Sequence, residues 1–257
     1  MLSVVTITYN NFEELTRTVA SVPSGKVEHI IVNGGSCPRT ADFLKGFPGI
    51  QVTEPDRGIS DAFNKGIRLS SGKGVLFLNS GDILLDPEFL DWADQALNEV
   101  DFVYSDIVFN DPIAGKIRIT PTKRPLGRGM PFPHQTLIVR RQIFGELGDF
   151  KLDYKRAMCF EFVCRLIRGE KSSRYRPQAT VLMEGGGISS TQEAQTLEES
   201  RRALIRTGLY DWENRFYFGI RWVLFTSRQV LLRLGLRSLL GFIKKTKYGT
   251  IQTLKRD

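Results

Sequence analysis

The sequence predicts an α/β fold, a mostly parallel central sheet flanked by helices, followed by a basic amphipathic helical tail. Three observations carry this reading. Strand-like and helix-like segments alternate from Ser3 to Leu78. Each strand-like run ends in a cluster of polar and glycine residues. The positive charge is gathered at the C-terminal end: residues from Asn214 to Asp257 hold ten Lys/Arg and one acid, whereas the remainder holds 26 Lys/Arg and 27 Asp/Glu.

Ser3–Thr8 is a β-branched apolar run and reads as a core strand. The N-terminus has no basic start and no long apolar run, so no signal peptide is expected and a reducing cytoplasm is the expected compartment. Phe12–Val22 has helical spacing through Phe12, Leu15, Val19 and Val22, with Asn11 as a cap candidate. His29–Asn33 is a second strand, stopped by Gly34-Gly35-Ser36, and a helix through Phe43 and Leu44 follows. Gln51–Glu54 is a third strand, broken by Pro55; Ile59–Leu69 is a helix, stopped by Ser70-Ser71-Gly72. Val75–Leu78 is a fourth strand, ended by Asn79-Ser80-Gly81-Asp82. Right-handed crossovers put the C-terminal ends of such strands on one edge, where ligands bind. The four polar clusters therefore converge on a shared site.

The second half is less regular. Phe102–Phe109 and Lys116–Thr120 read as a hairpin around Asn110-Asp111-Pro112. Pro121–Pro133, rich in proline, glycine and basic residues, reads as a mobile loop. Thr136–Val139 is a strand candidate, Phe160–Arg168 a helix stopped by Gly169, Tyr175–Met183 a strand, and Ala194–Arg206 a helix. The 257 residues, 41% of them hydrophobic, suit one large domain over residues 1–210 and an appendage over 211–257. Cys37, Cys159 and Cys164 have neither metal-ligand spacing nor a disulfide framework.

Several segments together resemble one family. They are Val4-Val5-Thr6-Ile7-Thr8-Tyr9-Asn10, Ile30-Ile31-Val32-Asn33-Gly34-Gly35-Ser36, Glu54-Pro55-Asp56-Arg57-Gly58-Ile59-Ser60-Asp61-Ala62-Phe63-Asn64-Lys65-Gly66, Phe77-Leu78-Asn79-Ser80-Gly81-Asp82 and Gly186-Gly187-Ile188-Ser189. Over about Leu2 to Ser190 the chain resembles the inverting family-two glycosyltransferases of the GT-A fold, in particular bacterial enzymes of colanic-acid and O-antigen type polysaccharide assembly. The resemblance implies transfer of a sugar from a nucleoside-diphosphate sugar to an acceptor hydroxyl. It implies donor-binding roles for Thr8, Tyr9, Asn10, Asn33, Asp56, Arg57, Asp61, Asn64, Lys65 and Ser80. Tyr9 is placed to stack on a base, and Asn33 offers both a donor and an acceptor to a base edge, although the family usually has Asp there. Asp61 and Lys65, being i,i+4 neighbours, have pairing with each other on a helix surface as the less favoured alternative to donor contact. The Asp-X-Asp-like motif of the family leaves one carboxylate here, Asp82, which is implied to hold Mg²⁺ or Mn²⁺ against the diphosphate.

The reaction needs a base for the acceptor hydroxyl. The family supplies an Asp just before a helix, and Arg165-Leu166 and Gly169 align Cys159 with it. A thiol is a poor replacement for a fixed carboxylate. The nearest acid, Glu161, stands about 200° around a helix from Cys159; Asp153 is a further candidate. Glu161 and Cys159 are the named catalytic candidates, with another base or none still open. His134 and Gln135 fall where the family lines its acceptor side, whereas His29 reads as structural.

The tail from Phe216 to Ile243 is apolar but interrupted by Arg221, Arg228, Arg233 and Arg237, and no uncharged run approaches the ~20 residues of a membrane span. Its aromatic and leucine content favours a helix lying on an anionic membrane, at the inner face of the cytoplasmic membrane, over packing on the domain or a partner. No nucleic-acid motif is present. The tail suits a lipid-linked or oligosaccharide acceptor. A rival reading is a non-catalytic sugar-nucleotide or glycan-binding relative in an assembly complex, and Cys159 is the feature that separates the two. A nucleotidyltransferase would need a glycine-rich phosphate loop with a nearby Lys or Arg after the first strand, which Tyr9-Asn10-Asn11 is not.

Overall fold

A computed structural model describes residues 1–112, 115–121, 124–185, 192–236, 238, 240 and 242. Strands β1 (Ser3–Thr8), β2 (Glu28–Asn33), β3 (Ile50–Thr53) and β4 (Gly74–Phe77) lie parallel in the order β3-β2-β1-β4. Val5 is paired with both Ile30 and Phe77, so all four strands end on the same edge. Backbone bonds carry the pairing beyond the strands: the Leu78 N–H donates to Val5 O and the Ser80 N–H to Ile7 O. Helices α1 (Phe12–Ser21), α2 (Pro38–Lys45) and α3 (Ile59–Leu69) form the crossovers.

The sheet then changes direction. It continues through β8 (Ile138–Arg140), β6 (Phe102–Asp111), β9 (Ser173–Glu184) and β5 (Ile83–Leu84), with β7 (Gly115–Ile119) on β6. β8 runs antiparallel to β4, and β9 runs parallel to β6. The expected β6–β7 pairing forms, in register from Ile107 with Ile119 to Asp111 with Gly115. Short elements that the sequence reading did not name are β5, α4 (Glu88–Ala96) and α5 (Arg141–Leu147). Helices α6 (Met158–Arg168), α7 (Glu193–Arg206) and α8 (Trp212–Arg233) complete the described architecture.

An aromatic cluster joins the two halves. Phe63 of α3 stacks on Phe77 of β4 at 4.4 Å, and Phe144 of α5 stacks on Phe162 of α6 at 4.8 Å. Phe150 packs between both pairs. Such pairs add roughly 0.5–1.5 kcal/mol each beyond their area burial. Behind the site edge, His29 takes the structural place expected of it. Its Nε2 lies 3.0 Å from Thr6 Oγ1 and its ring meets Phe47 edge-on. Burial holds its pKa down to about 4.

Two local expectations are corrected. Thr136 is not in a strand: His134–Thr136 forms a 3₁₀ turn before β8. The Thr136 hydroxyl donates to Ser105 O and accepts from the Ser105 N–H, replacing ladder bonds with side-chain bonds. The segment Pro121–Pro133, expected to be a mobile loop, is held down along its described part. Leu126 and Phe132 are buried, and the Gly127 N–H donates to Asn214 Oδ1 at 2.7 Å. The Arg128 guanidinium lies 4.0 Å over the Tyr217 ring. Asn214 and Tyr217 both belong to α8, so the first turns of the tail helix clamp this segment to the domain.

Candidate active site

The turns at the parallel edge are tied together by their own polar side chains. Asn10 sits in the left-handed region at φ 54°, a conformation asparagine tolerates. Its Oδ1 accepts from the Ser36 and Cys37 N–H groups, both at 2.9 Å, which joins the turns after β1 and β2. Glycine is required in the second turn: a Cβ on Gly34 would lie 1.9 Å from Asp56 Oδ2, and one on Gly35 would lie 2.5 Å from Asn10 Oδ1. Asn33 is buried; its Oδ1 accepts from the Gly35 N–H and its Nδ2 donates to Thr53 Oγ1. The Thr8 hydroxyl donates to Asn11 Oδ1 at 2.6 Å. By contrast, Tyr9 is 71% exposed on this edge.

Helix α3 corrects the picture of a surface-exposed polar face. Every residue from Ser60 to Ile67 is buried. Lys65 Nζ donates to Pro55 O and to Asp56 Oδ1, each at 2.7 Å, and lies 3.9 Å from Asp61 Oδ2. Burial disfavours its charge, yet the bonds to Asp56 and Glu54 prevail and raise its pKa. The hydrogen bonds of Arg57 hold the Asp61 carboxyl below its usual range. Asn64 is turned inward. Its Nδ2 donates to Phe150 O and its Oδ1 accepts from the Phe150 N–H, both at 2.9 Å, so the amide is consumed and is withdrawn from the donor-facing set. Asn33, Asp61 and Lys65 thus shape the edge from within and Asn10 braces it at the surface, while Tyr9 and the 74% exposed side chain of Arg57 face outward.

The turn after β4 holds polar atoms that await a partner. Asn79 Oδ1 and Ser80 Oγ are buried without a hydrogen bond among the described residues. Asp82 is buried, and its Oδ2 accepts only from the Asn79 N–H among the described residues. Burial pushes its carboxyl up to about 8; the Asn79 bond opposes the shift and the Glu184 carboxylate reinforces it. Glu184 ends β9 and accepts from Asn110 Nδ2 at 2.8 Å. It escaped the sequence reading, which closed its strand at Met183; an acid directly before Gly185 was the available signal. No group of three or more His, Cys, Asp and Glu suited to a metal is present among the described residues. The site still fits a hard cation, because two neighbouring carboxylates and unpaired amide and hydroxyl oxygens are the donor types Mg²⁺ and Mn²⁺ take, with phosphate oxygens completing the shell.

The acceptor-side candidates lie on the same edge. Leu76 pairs antiparallel with Ile138, so the turn before β8 runs beside the turn after β4. Gln135 is buried and its Nε2 donates to Met183 Sδ, next to Glu184. His134 and Cys159 line one small cavity of about 10 Å³, walled by Phe77, Phe144, Phe150 and Phe162. Burial lowers the His134 pKa to about 4 and pushes the Cys159 thiol up to about 12, so both are neutral near pH 7. Glu199 of α7 fixes the start of α6 by accepting from the Arg156 and Ala157 N–H groups, each at 2.8 Å.

Glu161, a base candidate from sequence, is corrected to a buried ion pair. Arg165 binds both of its oxygens, with Nη2 at 2.8 Å from Oε2 and Nε at 2.9 Å from Oε1. The same guanidinium donates to Leu147, Gly148 and Asp149 carbonyls. Asp153 pairs with Arg206 at 2.5 Å, with both side chains about half exposed. Gly186-Gly187-Ile188-Ser189 lies outside the described residues, as do most positions of the tail beyond Leu236.

The comparisons with known proteins agree with this geometry. The sequence profile described as glycosyl transferase family 2 matches residues 3–170. An uncharacterized glycosyltransferase of Mycobacterium tuberculosis is 33% identical over 178 residues, covering 64% of this chain and 68% of that protein. A glycosyltransferase of PGL/p-HBAD biosynthesis from Mycobacterium bovis is 27% identical over 185 residues, covering 68% and 72%. Among solved structures, Staphylococcus aureus TarS in complex with UDP-GlcNAc superposes with TM-score 0.61 at 15% identity, covering 84% of this chain and 70% of that one. The mannosyltransferase PcManGT of Pyrobaculum calidifontis, in complex with GDP-Man and Mn²⁺, superposes with TM-score 0.58 at 14% identity, covering 97% and 76%. These two likenesses establish the GT-A-like fold. With the profile spanning most of the domain and a relative at 33% identity, the chain belongs to glycosyl transferase family 2, the enzymes that transfer sugar from a nucleotide-sugar donor.

Proposed function

We propose that this glycosyltransferase is metal-dependent and inverting, and that it adds one sugar to a hydroxyl of a lipid-linked or oligosaccharide acceptor in bacterial surface polysaccharide synthesis. The observation that carries the metal-dependent donor site is the Asp82 turn: a buried carboxylate beside Glu184, with unpaired Asn79 and Ser80 oxygens. Asp82 would hold Mg²⁺ or Mn²⁺, and the cation would neutralise the diphosphate as it leaves. Tyr9, Arg57 and Ser80 are the side chains left to meet the donor. UDP- and GDP-sugars are the first donors to test, since TarS and PcManGT are seen with UDP-GlcNAc and GDP-Man.

A donor screen with Mn²⁺ or Mg²⁺ and a lipid-linked glycan extract tests this reading. The expected result is nucleoside diphosphate release coupled to glycan labelling. Donor binding with neither transfer nor hydrolysis, for any sugar nucleotide, would leave the non-catalytic reading in possession.

The tail supports a membrane surface as the working place. No helix among the described residues is long and apolar enough to cross a membrane. Along α8, however, Phe216, Ile220, Val223, Leu224 and Val230 are exposed, with Leu234 just beyond, while Phe218 and Asn214 face the domain. These positions recur at helical spacing and form an apolar outer stripe among basic residues, as an interfacial helix requires. Phe216→Ser with Leu224→Ser should weaken binding to anionic vesicles at least tenfold, since each buried side chain contributes about 1.5–3 kcal/mol. The melting temperature should change little, because both side chains are more than half exposed and Phe216 meets only the Tyr217 ring edge-on among the described aromatic contacts. Undiminished vesicle binding would reject the stripe as the contact.

A further inference from the structure

We infer that the pocket between the start of α3 and the residues before α6 binds an anionic group of the acceptor, a phosphate or a carboxylate. This rests on the transfer reaction proposed above and names the chemistry by which its acceptor is recognised. The pocket measures about 280 Å³, with Arg57 and Ser60 on one side and Tyr154, Lys155 and Arg156 on the other. Ligand pockets run from about 300 to 1,000 Å³, so this one has room for a single sugar or sugar phosphate. Its rim is open to solvent: the Arg57 side chain is 74% exposed, and Lys155 and Gln192 are exposed.

Contacts at the parallel edge fix its place. Asp56, the neighbour of Arg57, packs so closely on the turn after β2 that a Cβ on Gly34 would meet its Oδ2 at 1.9 Å. That turn is bonded through Ser36 and Cys37 to Asn10, next to Tyr9. Arg57 therefore stands at the donor edge and lines the pocket as well. Ser60 Oγ donates to Tyr154 O at 2.8 Å and joins the two walls. Arg156 leads into α6, three residues before Cys159, the position where the family resemblance places its base. A group held here lies between the donor edge and the start of α6.

The lining selects an anion. No Asp or Glu lines the pocket among the described residues. Arg57 spends Nη2 on Asp61, and Arg156 gives Nε to Gln192 and Nη1 to Glu199. Arg57 Nε and Nη1, Arg156 Nη2 and Lys155 Nζ have no partner among the described residues, so three cations keep donors to offer. The backbone adds to them. Helix α3 has no side-chain cap, and the N–H groups of Ile59 and Ser60 have no acceptor among the described residues. Guanidinium, ammonium and first-turn N–H groups together favour phosphate and carboxylate oxygens.

The probe is inorganic phosphate, titrated by calorimetry into the full chain with Mg²⁺ and UDP or GDP filling the donor site. The parent should bind it. Lys155→Glu should weaken binding about tenfold or more, as loss of a charge-assisted bond and reversal of its charge require. The melting temperature should hold, because Lys155 is exposed and its Nζ makes no bond in the fold. In steady-state transfer with the glycan extract, Lys155→Glu should raise the acceptor KM about tenfold and leave the donor KM within about twofold of the parent. Mild acid removes a lipid diphosphate from the acceptor, and carbodiimide amidation removes carboxylates. The treatment that cancels the KM difference between parent and variant identifies the group; a difference that survives both overturns the inference. So does a rise in donor KM in place of acceptor KM, an absence of phosphate binding, or equal phosphate binding by parent and Lys155→Glu. The proposed function stands in each of those cases. Absence of transfer by the parent chain overturns the proposed function and, with it, the acceptor's claim on the pocket.

Discussion

Asp82→Asn should abolish cation-stimulated donor binding and lower sugar transfer about a thousandfold, a loss of about 4 kcal/mol of transition-state stabilisation. The substitution is close to isosteric, and its amide oxygen can still accept from the Asn79 N–H, so the turn should persist. The charge alone is removed. In the metal-free protein that charge is a burden: burial raises the carboxyl from 3.8 to about 8. A raised carboxyl contributes stability that is fully present below about pH 4 and is lost as pH rises through about 8, at roughly 1.4 kcal/mol per pH unit in between. A bound divalent cation favours the ionised form and opposes that loss. The melting temperature gained on adding Mn²⁺ should therefore grow between pH 5.5 and pH 8. In Asp82→Asn the gain should vanish at both pH values, and the metal-free variant should outlast the parent at pH 8. A Mn²⁺ shift of equal size in the variant would remove Asp82 from the site.

The same turn shows how far a sequence speaks. Four strand ends and their polar clusters were legible because parallel crossovers leave only one edge for them, and alternation of elements fixes that edge. The direction in which each polar side chain points was not legible. Asn10, Asn33, Asn64 and Lys65 carry the residue types of a binding site, yet they bond chiefly to backbone groups, with Asn33 also on Thr53 and Lys65 on Asp56. A buried helix such as α3 must satisfy its polar groups internally, and that demand yields the same letters as ligand contact. Glu184 was missed for the opposite reason. It meets Asp82 through the pairing of β9 with β6 and β5, about a hundred residues away in sequence, and no local pattern encodes that. The tail was read as a membrane helix by its composition; that it also holds down the segment around Gly127 through Asn214, whatever its outer face meets, needed the tertiary contact.

Arg165→Met should cost about 3–5 kcal/mol and lower the melting temperature by roughly 10 °C, the second large effect expected of this protein. The guanidinium binds both oxygens of Glu161 and three carbonyls between α5 and Phe150, and it lies 4.9 Å over the Phe162 ring. Removing it leaves a carboxylate with 6% side-chain exposure and no counter-charge. The companion change Glu161→Leu should recover part of the loss, because the cost lies in the stranded charge more than in the missing pair. An i,i+4 Glu–Arg pair was present in the sequence; its burial was not visible there. The pair also decides what Glu161 does. Were it the base, Glu161→Gln would reduce turnover in a protein of normal stability. As the anchor of α6, it should instead lose stability first, by about 1–3 kcal/mol. Residual turnover at low temperature, where the variant is still folded, should then persist. The helix imposes this division: Cys159 faces the cavity, and a residue two positions on, some 200° around the axis, faces Arg165. A carboxylate there can brace the wall of the site, and its removal should be read by thermal denaturation before it is read by kinetics.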